Sequence, residues 1–295
     1  MGIIQRQLMI NVFSEIGILQ EVLLHRPSAE VENLTTDTKD LLLFDDIPFL
    51  KVAQAEHDFF AKLLKEKGVK ILYITQLISD TLKISKDIKE EFLKQFLKEA
   101  NFYEGYLYDA LFNYLNSLKE ETLITKIIEG IKPKDIKVNE SYFSTVINTN
   151  NPFLCDPMPN LMFSRDNFAS IGNGATLNTM WSNVRNRECI FAEFIFKYHK
   201  DFKNTPLYYN RFEGSCIEGG DELVLNENIL AIGISHRTEA ESIKKLATRL
   251  FNSDSSFKTI FAFKIPNKRT FMHLDTVFTQ VDVDKFIVYK EAIDA

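Results

Sequence analysis

Three short stretches, far apart along the chain, hold the residue types that do chemistry. One is Phe271-Met272-His273-Leu274-Asp275-Thr276-Val277-Phe278. As a strand it alternates with period two, so His273 and Asp275 share the face opposite Met272 and Leu274. An imidazole with a carboxylate neighbour has a raised pKa, which suits a reaction needing an acid and then a base. A polar pair on a half-buried strand accounts for the same residues. Another stretch, Pro159-Asn160-Leu161-Met162-Phe163-Ser164-Arg165-Asp166, offers Asp166 as an acceptor for a cation and Phe163 to cover a planar group. Its plainer account is an Arg165–Asp166 pair at a strand-to-loop corner. In Cys216-Ile217-Glu218-Gly219-Gly220-Asp221-Glu222, two glycines follow a carboxylate. They permit close backbone approach to a ligand, or simply make a turn.

If these stretches converge, Asp166, Glu218, His273 and Asp275 share one pocket. Several carboxylates there stay charged cheaply only beside a compensating cation, so the expected ligand is positive, or a metal on an oxygen-rich set with a single histidine. Arg185 and Arg237 sit in similar contexts and predict a forked clamp for a carboxylate at the pocket mouth, against the ordinary alternative of surface arginines. Together these features suit a zwitterion, cationic at one end and anionic at the other.

The elements that must position them follow from periodicity. Leu19 to His25 reads as a strand, Ile47 to Lys67 as a helix capped by Asp46, and Val69 to Thr75 as a strand. From Ser79 to Asn139 the chain turns Lys/Glu-rich with helical spacing, as in Lys86 to Glu99 and Tyr103 to Leu118, which predicts an inserted helical bundle. Turn residues between Asn148 and Pro159 mark the return to the main domain. Strand Glu222 to Leu225, strand Ile229 to Ile234, a helix over Glu239 to Phe251 and strand Lys258 to Phe263 make a ββαβ unit. Leu161 to Tyr209 and Leu19 to Thr75 fit the same pattern more weakly. A unit that cannot bury its own apolar face implies a radial or stacked repeat. The expected domains are residues 1–78 as a first propeller unit, 79–147 as the inserted bundle and 148–295 as further units. The last unit starts at Phe271 and is unfinished at Ala295, leaving strand edges open.

Composition narrows the class. The 295 residues are 45% hydrophobic with a net charge of -6, which excludes nucleic acid held by counterion release. No apolar run has the length of a membrane span, and no convincing signal peptide opens the chain. Cys155, Cys189 and Cys216 form an odd set without metal-ligand spacing, which fits a reducing, cytoplasmic setting.

The three stretches, with Leu43-Phe44-Asp45-Asp46 and Val184-Arg185-Asn186-Arg187-Glu188 in register, resemble the signature set of the arginine deiminase family over essentially the whole chain. The resemblance implies a pentein-type α/β propeller of ββαβ units, incomplete here, with an inserted α-helical domain. It also implies hydrolysis of L-arginine to L-citrulline and ammonia with no cofactor and no metal, the chemistry of a hydrolase acting on linear amidines. By that likeness Asp166 and Asp275 hold the guanidinium, Glu218 fixes substrate and histidine, and His273 protonates the leaving ammonia and then deprotonates water. Leu43, Asn160, Phe163, Arg185 and Arg237 resemble substrate-holding residues. The family's covalent intermediate forms on a cysteine near the C-terminus, beyond where this chain stops, and none of the three cysteines matches its motif. The expectation is therefore an enzyme inactive alone or split, partnered by a complementary C-terminal fragment, with a homo-oligomer as a further possible partner. The alternatives are a non-catalytic arginine-binding or interaction subunit, and another guanidine-modifying enzyme: an amidinotransferase, or a hydrolase of agmatine or methylarginine.

Overall fold

The computed structural model describes residues 10–136 and 151–293. The expected domain boundary at 147/148, the first six residues and the C-terminal Ala295 lie outside them. The chain divides into two compact units, Leu19–Ser164 and Met1–Ile18 with Arg165–Ala295.

Within Leu19–Ser164, strand β1 (Glu21–Leu24) pairs in parallel with β2 (Lys70–Tyr73). The crossover between them carries helices α1 (Ala29–Glu32) and α2 (Leu50–Glu66). The α2 helix starts three residues later than its apolar spacing predicts. Pro48 keeps Ile47 out of the helical region, and Asp46 accepts the Ile47 N–H at 2.7 Å ahead of the helix. Likewise β2 ends at Tyr73, because Ile74, Ile78 and Leu82 recur at helical spacing and are all buried. They form one face of α3 (Ile74–Leu82), followed by α4 (Lys86–Glu99), α5 (Tyr106–Ser117) and α6 (Glu120–Glu129). Buried Phe92, Leu93, Phe96 and Leu97 of α4, Leu111 and Leu115 of α5, and Leu123, Ile124, Ile127 and Ile128 of α6 supply the apolar stripes of these helices. Ser85 caps α4 by accepting the Ile88 N–H.

The second unit repeats one motif. Strand β3 (Phe168–Ile171) runs antiparallel to β4 (Gly174–Leu177), and after α7 (Asn183–Asn186) and α8 (Cys189–Tyr198) strand β5 (Leu207–Tyr209) returns parallel to β4. Strand β6 (Glu222–Asn226) pairs antiparallel with β7 (Ile229–Ile234), and helix α9 (Ala240–Phe251) leads to β8 (Thr259–Lys264), parallel to β7. Both are ββαβ units. A hairpin of β9 (Phe278–Asp282) and β10 (Lys285–Val288) follows.

Strand alternation sorts the core. Val224, Leu230 and Ile232 point to one apolar cluster with Ile243, Leu246 and Leu250 of α9, whereas Leu223 and Ala231 point to another with Phe271, Leu274 and Val277. Each chemistry-bearing segment of this unit lies just ahead of the first strand of a hairpin: Asp166 before β3, Glu218 before β6, His273 before β9.

The expected strand over 271–278 is absent. Arg269–Phe271 and Leu274–Thr276 are 3₁₀ turns, and extended pairing begins only at Phe278. Here one tertiary and one local hydrogen bond replace the ladder: the Leu274 N–H donates to Asp221 Oδ1 at 2.8 Å, and the Thr276 hydroxyl donates to the His273 carbonyl at 2.6 Å. Phe271 and Leu274 still reach the core, so the apolar positions are satisfied without a strand.

Leu246 is fully buried between α9 and the β6–β7 face. Leu246→Ala is expected to lower unfolding stability by about 2–5 kcal/mol, measured by urea denaturation.

Candidate active site

Three backbone segments dock before any side chain is placed. The Asp166 carbonyl accepts the Asn178 side-chain amide at 2.9 Å and the Gly219 N–H at 3.2 Å. Arg165 reaches the Gly219 and Glu222 carbonyls. A Cβ on Gly219 would lie 2.0 Å from the Arg165 carbonyl oxygen, and one on Gly220 would lie 2.5 Å from His273 Nδ1. The paired glycines thus admit close approach, as their position ahead of a strand predicts, but by the protein's own Arg165 backbone and His273 ring.

On this base Glu218, fully buried, places Oε2 2.7 Å from His273 Nε2 and accepts the Trp181 N–H on Oε1 at 3.0 Å. The other ring nitrogen of His273 faces Asp166 Oδ1 across 3.8 Å. One donor atom from each of Asp166, Glu218 and His273 falls within 4.8 Å of the others, so the three stretches do meet. Burial works against a charged imidazole, but the Glu218 hydrogen bond and the charges of Asp166, Glu218 and Asp221 outweigh it and raise the His273 pKa. Burial likewise works against the Glu218 carboxylate, which His273, Arg185 and Arg237 nonetheless hold below its ordinary range. Proton transfer to a leaving group and back is within reach of such a pair.

Asp275 stands apart from the trio. With His273 and Leu274 in a turn it is exposed, not beside the imidazole on a strand face. Partial desolvation still pushes its carboxyl up, against the pull of His273 and Arg165.

Arg185 and Arg237 are both buried rather than superficial. Arg185 donates to Asp166 Oδ2 at 2.7 Å and, through Nε and Nη2, to Glu188 at 3.1 and 3.0 Å. Despite burial, these carboxylates raise its pKa and keep it charged, while burial pushes the Glu188 carboxyl up to about 7. Arg237 lies 4.8 Å above the Trp181 ring and 3.7 Å from Glu218 Oε1. Its Nε and Nη1 are buried with no hydrogen-bond partner among the described residues, so this guanidinium has unused donors for an anion.

Leu43, Asn160 and Phe163 belong to the Leu19–Ser164 unit and are grouped there. The Asn160 side-chain amide donates to the Leu42 carbonyl at 2.7 Å, Leu43 has a left-handed φ of 66°, and the Phe163 ring lies 6.3 Å from that of Phe44. A left-handed leucine pinned by a buried amide is stored strain of the kind found at ligand sites.

The cysteines divide plainly. Cys155 and Cys189 are buried thiols, and burial with the Glu239 and Glu218 charges pushes Cys216 up to about 11, the reverse of nucleophile activation. Trp181, the single tryptophan, is a site residue that spacing alone does not single out. Its rarity, four residues before Arg185, is the available signal. Asp221 sits inside a recognised motif without an evident role from sequence.

This is an α/β fold of the pentein type around an acidic, histidine-bearing site. A DDAH from Pseudomonas aeruginosa solved in complex with citrulline shares the fold at a TM-score of 0.50 and 13% identity, covering 94% of this chain and 74% of that one. An amidinotransferase from Microseira wollei does so at 0.51 and 16%, covering 96% and 70%. The arginine deiminase family model matches residues 40–295. An arginine deiminase from Clostridium perfringens (strain SM101 / Type A) is 51% identical over 286 residues, covering 95% of this chain and 69% of that protein. The chain belongs to the arginine deiminase family. No helix among the described residues is long and apolar enough to cross a membrane.

Glu222 is fully buried, and its Oε2 has no hydrogen-bond partner among the described residues. Burial pushes its carboxyl up to about 8, so the folded state holds a proton that the unfolded chain releases above about pH 4.3. Stability should therefore fall as pH rises from about 4.3 to about 8. Glu222→Gln keeps an acceptor for Thr176 and removes the penalty. Denaturation at pH 9 should show the variant more stable than the parent by about 2–5 kcal/mol, with the gap shrinking towards pH 5.

Proposed function

We propose that this chain carries the guanidinium-recognition and acid/base half of an arginine deiminase, acting on L-arginine and water to give L-citrulline and ammonia. The observation that carries the proposal is the buried Glu218–His273 pair at 2.7 Å with Asp166 across the ring. In this reading Asp166 and Glu218 hold the planar cation, with Asp275 at the exposed edge. His273, whose charged form these neighbours favour, gives its proton to the departing ammonia as the guanidinium carbon is attacked. The neutral imidazole then takes a proton from the water that releases citrulline. The α-carboxylate goes to the unused donors of Arg237, with Arg185 exchanging Asp166 for the substrate; Leu43, Asn160 and Phe163 are assigned to substrate binding by the family resemblance. We further assign residues 1–78 and 148–295 to propeller units, 79–147 to an inserted helical domain, and the protein to the cytoplasm, where an odd set of three cysteines fits a reducing setting.

By the family resemblance a thiolate attacks the guanidinium carbon, and neither two buried thiols nor a Cys216 raised to about 11 suits that step. The nucleophile is then a group outside these three, supplied by a complementary segment or a longer chain. The same observation favours a second reading, a non-catalytic arginine-binding subunit. Citrulline formation separates the two. The chain alone should release little citrulline from L-arginine, and addition of the C-terminal segment of the Clostridium perfringens relative should restore turnover. Binding without turnover under both conditions would support the subunit. Arg237→Gln should weaken L-arginine by about tenfold or more and leave agmatine, which lacks the carboxylate, nearly unchanged. An equal loss on both ligands would remove the carboxylate assignment.

A further inference from the structure

We propose that Asp221 is the positioning residue of the site, tying the turn that carries His273 to the loop that carries Arg237. The inference rests on the reading of His273 as acid/base and Arg237 as anion holder. Asp221 is fully buried, and both its oxygens are spent on site elements. Oδ1 accepts the Leu274 N–H at 2.8 Å, one residue past His273, and Oδ2 accepts the Ser235 hydroxyl at 2.6 Å. Ser235 Oγ in turn accepts the N–H of Arg237 at 2.9 Å and of Thr238 at 3.1 Å, and Thr238 Oγ1 accepts the Glu218 N–H at 3.1 Å. The path closes on itself through the Glu218–His273 contact. The acid/base histidine, its carboxylate and the anion-holding arginine therefore hang from one carboxylate that touches neither solvent nor ligand.

The surroundings are shaped for it. A Cβ on Gly233 would lie 2.2 Å from Asp221 Oδ1, so the glycine in β7 makes the room the carboxylate occupies. A buried carboxylate is expensive compared with an amide or an apolar residue of similar size. Spending it on the backbone N–H after His273 is explained by a need to fix the imidazole against Glu218. Besides Asp221, the charged groups facing that ring are Asp166, Glu218 and Asp275.

The test uses the full chain and does not require turnover. The pH titration of the His273 imidazole is followed by NMR, its signals identified by their loss in His273→Gln. Asp221→Asn removes the charge but keeps an oxygen for Leu274, whereas Asp221→Ala removes both. Both variants lower the His273 pKa by loss of charge. Only Asp221→Ala also erases the spectroscopic signature of the Glu218 hydrogen bond at Nε2. If both variants retain that signature, Asp221 acts through charge alone and the positioning role is overturned. Should Asp221→Ala fail to fold, Ser235→Ala decides: it leaves Leu274 its acceptor but frees the Arg237 loop. His273 should then titrate as in the parent while L-arginine affinity falls about tenfold, and unchanged affinity overturns the role. If the parent chain binds no arginine, the functional reading fails, yet the imidazole comparison still decides on Asp221.

Discussion

The buried contact between Glu218 and His273 is the interaction on which everything else depends. A carboxylate withdrawn completely from water costs several kcal/mol unless its partners replace the lost hydration. Glu218 finds them in the His273 ring, the Trp181 N–H and the Arg237 charge. Each partner comes from a different segment, so satisfying one carboxylate draws together the turn before β9, the loop after β4 and the loop after β7. In turn it raises the pKa of His273, favouring the charged imidazole that proton donation to a leaving amine needs.

Glycine makes the convergence sterically possible. Gly219 lies against the Arg165 carbonyl, Gly220 beneath the His273 ring and Gly233 beside Asp221. At each, a methyl group would fall well inside van der Waals contact with atoms that have no free direction to move. The packed apolar clusters on both faces of β6 and β7 hold those strands rigid, so the loops at their ends inherit fixed positions. Arg185 shows the same economy: its buried guanidinium pairs with Asp166 and so offsets a second buried carboxylate.

Much of this was legible in the residues. The β6–β7–α9–β8 unit matches its periodicity almost to the residue, because alternation and helical spacing there coincide with real burial. The meeting of Asp166, Glu218 and His273 was legible in the repeat pattern and in motifs in register with the arginine deiminase family, and charge compensation then set the sign of the expected ligand. Two things were not legible. The alternation in Phe271 to Phe278 imitates a strand, since Phe271 and Leu274 reach the core equally well from a 3₁₀ turn. Only the Asp221 carboxylate, 53 residues away, decides for the turn. Arg185 read as a clamp at a pocket mouth because its burial depends on Asp166 and Glu188, whose nearness is tertiary. Asp275 is exposed for the same reason that the strand fails.

The central claim is that Asp166, Glu218 and His273 form one acidic cup shaped for a guanidinium. Calorimetric titration of the chain with L-arginine and with L-citrulline, repeated on Asp166→Asn, tests it most directly. The account predicts that L-arginine binds more tightly than the uncharged ureido ligand and that Asp166→Asn abolishes this preference with a loss of about tenfold or more in arginine affinity. Equal affinity for the two ligands, or an Asp166→Asn variant that binds arginine as the parent does, would contradict it.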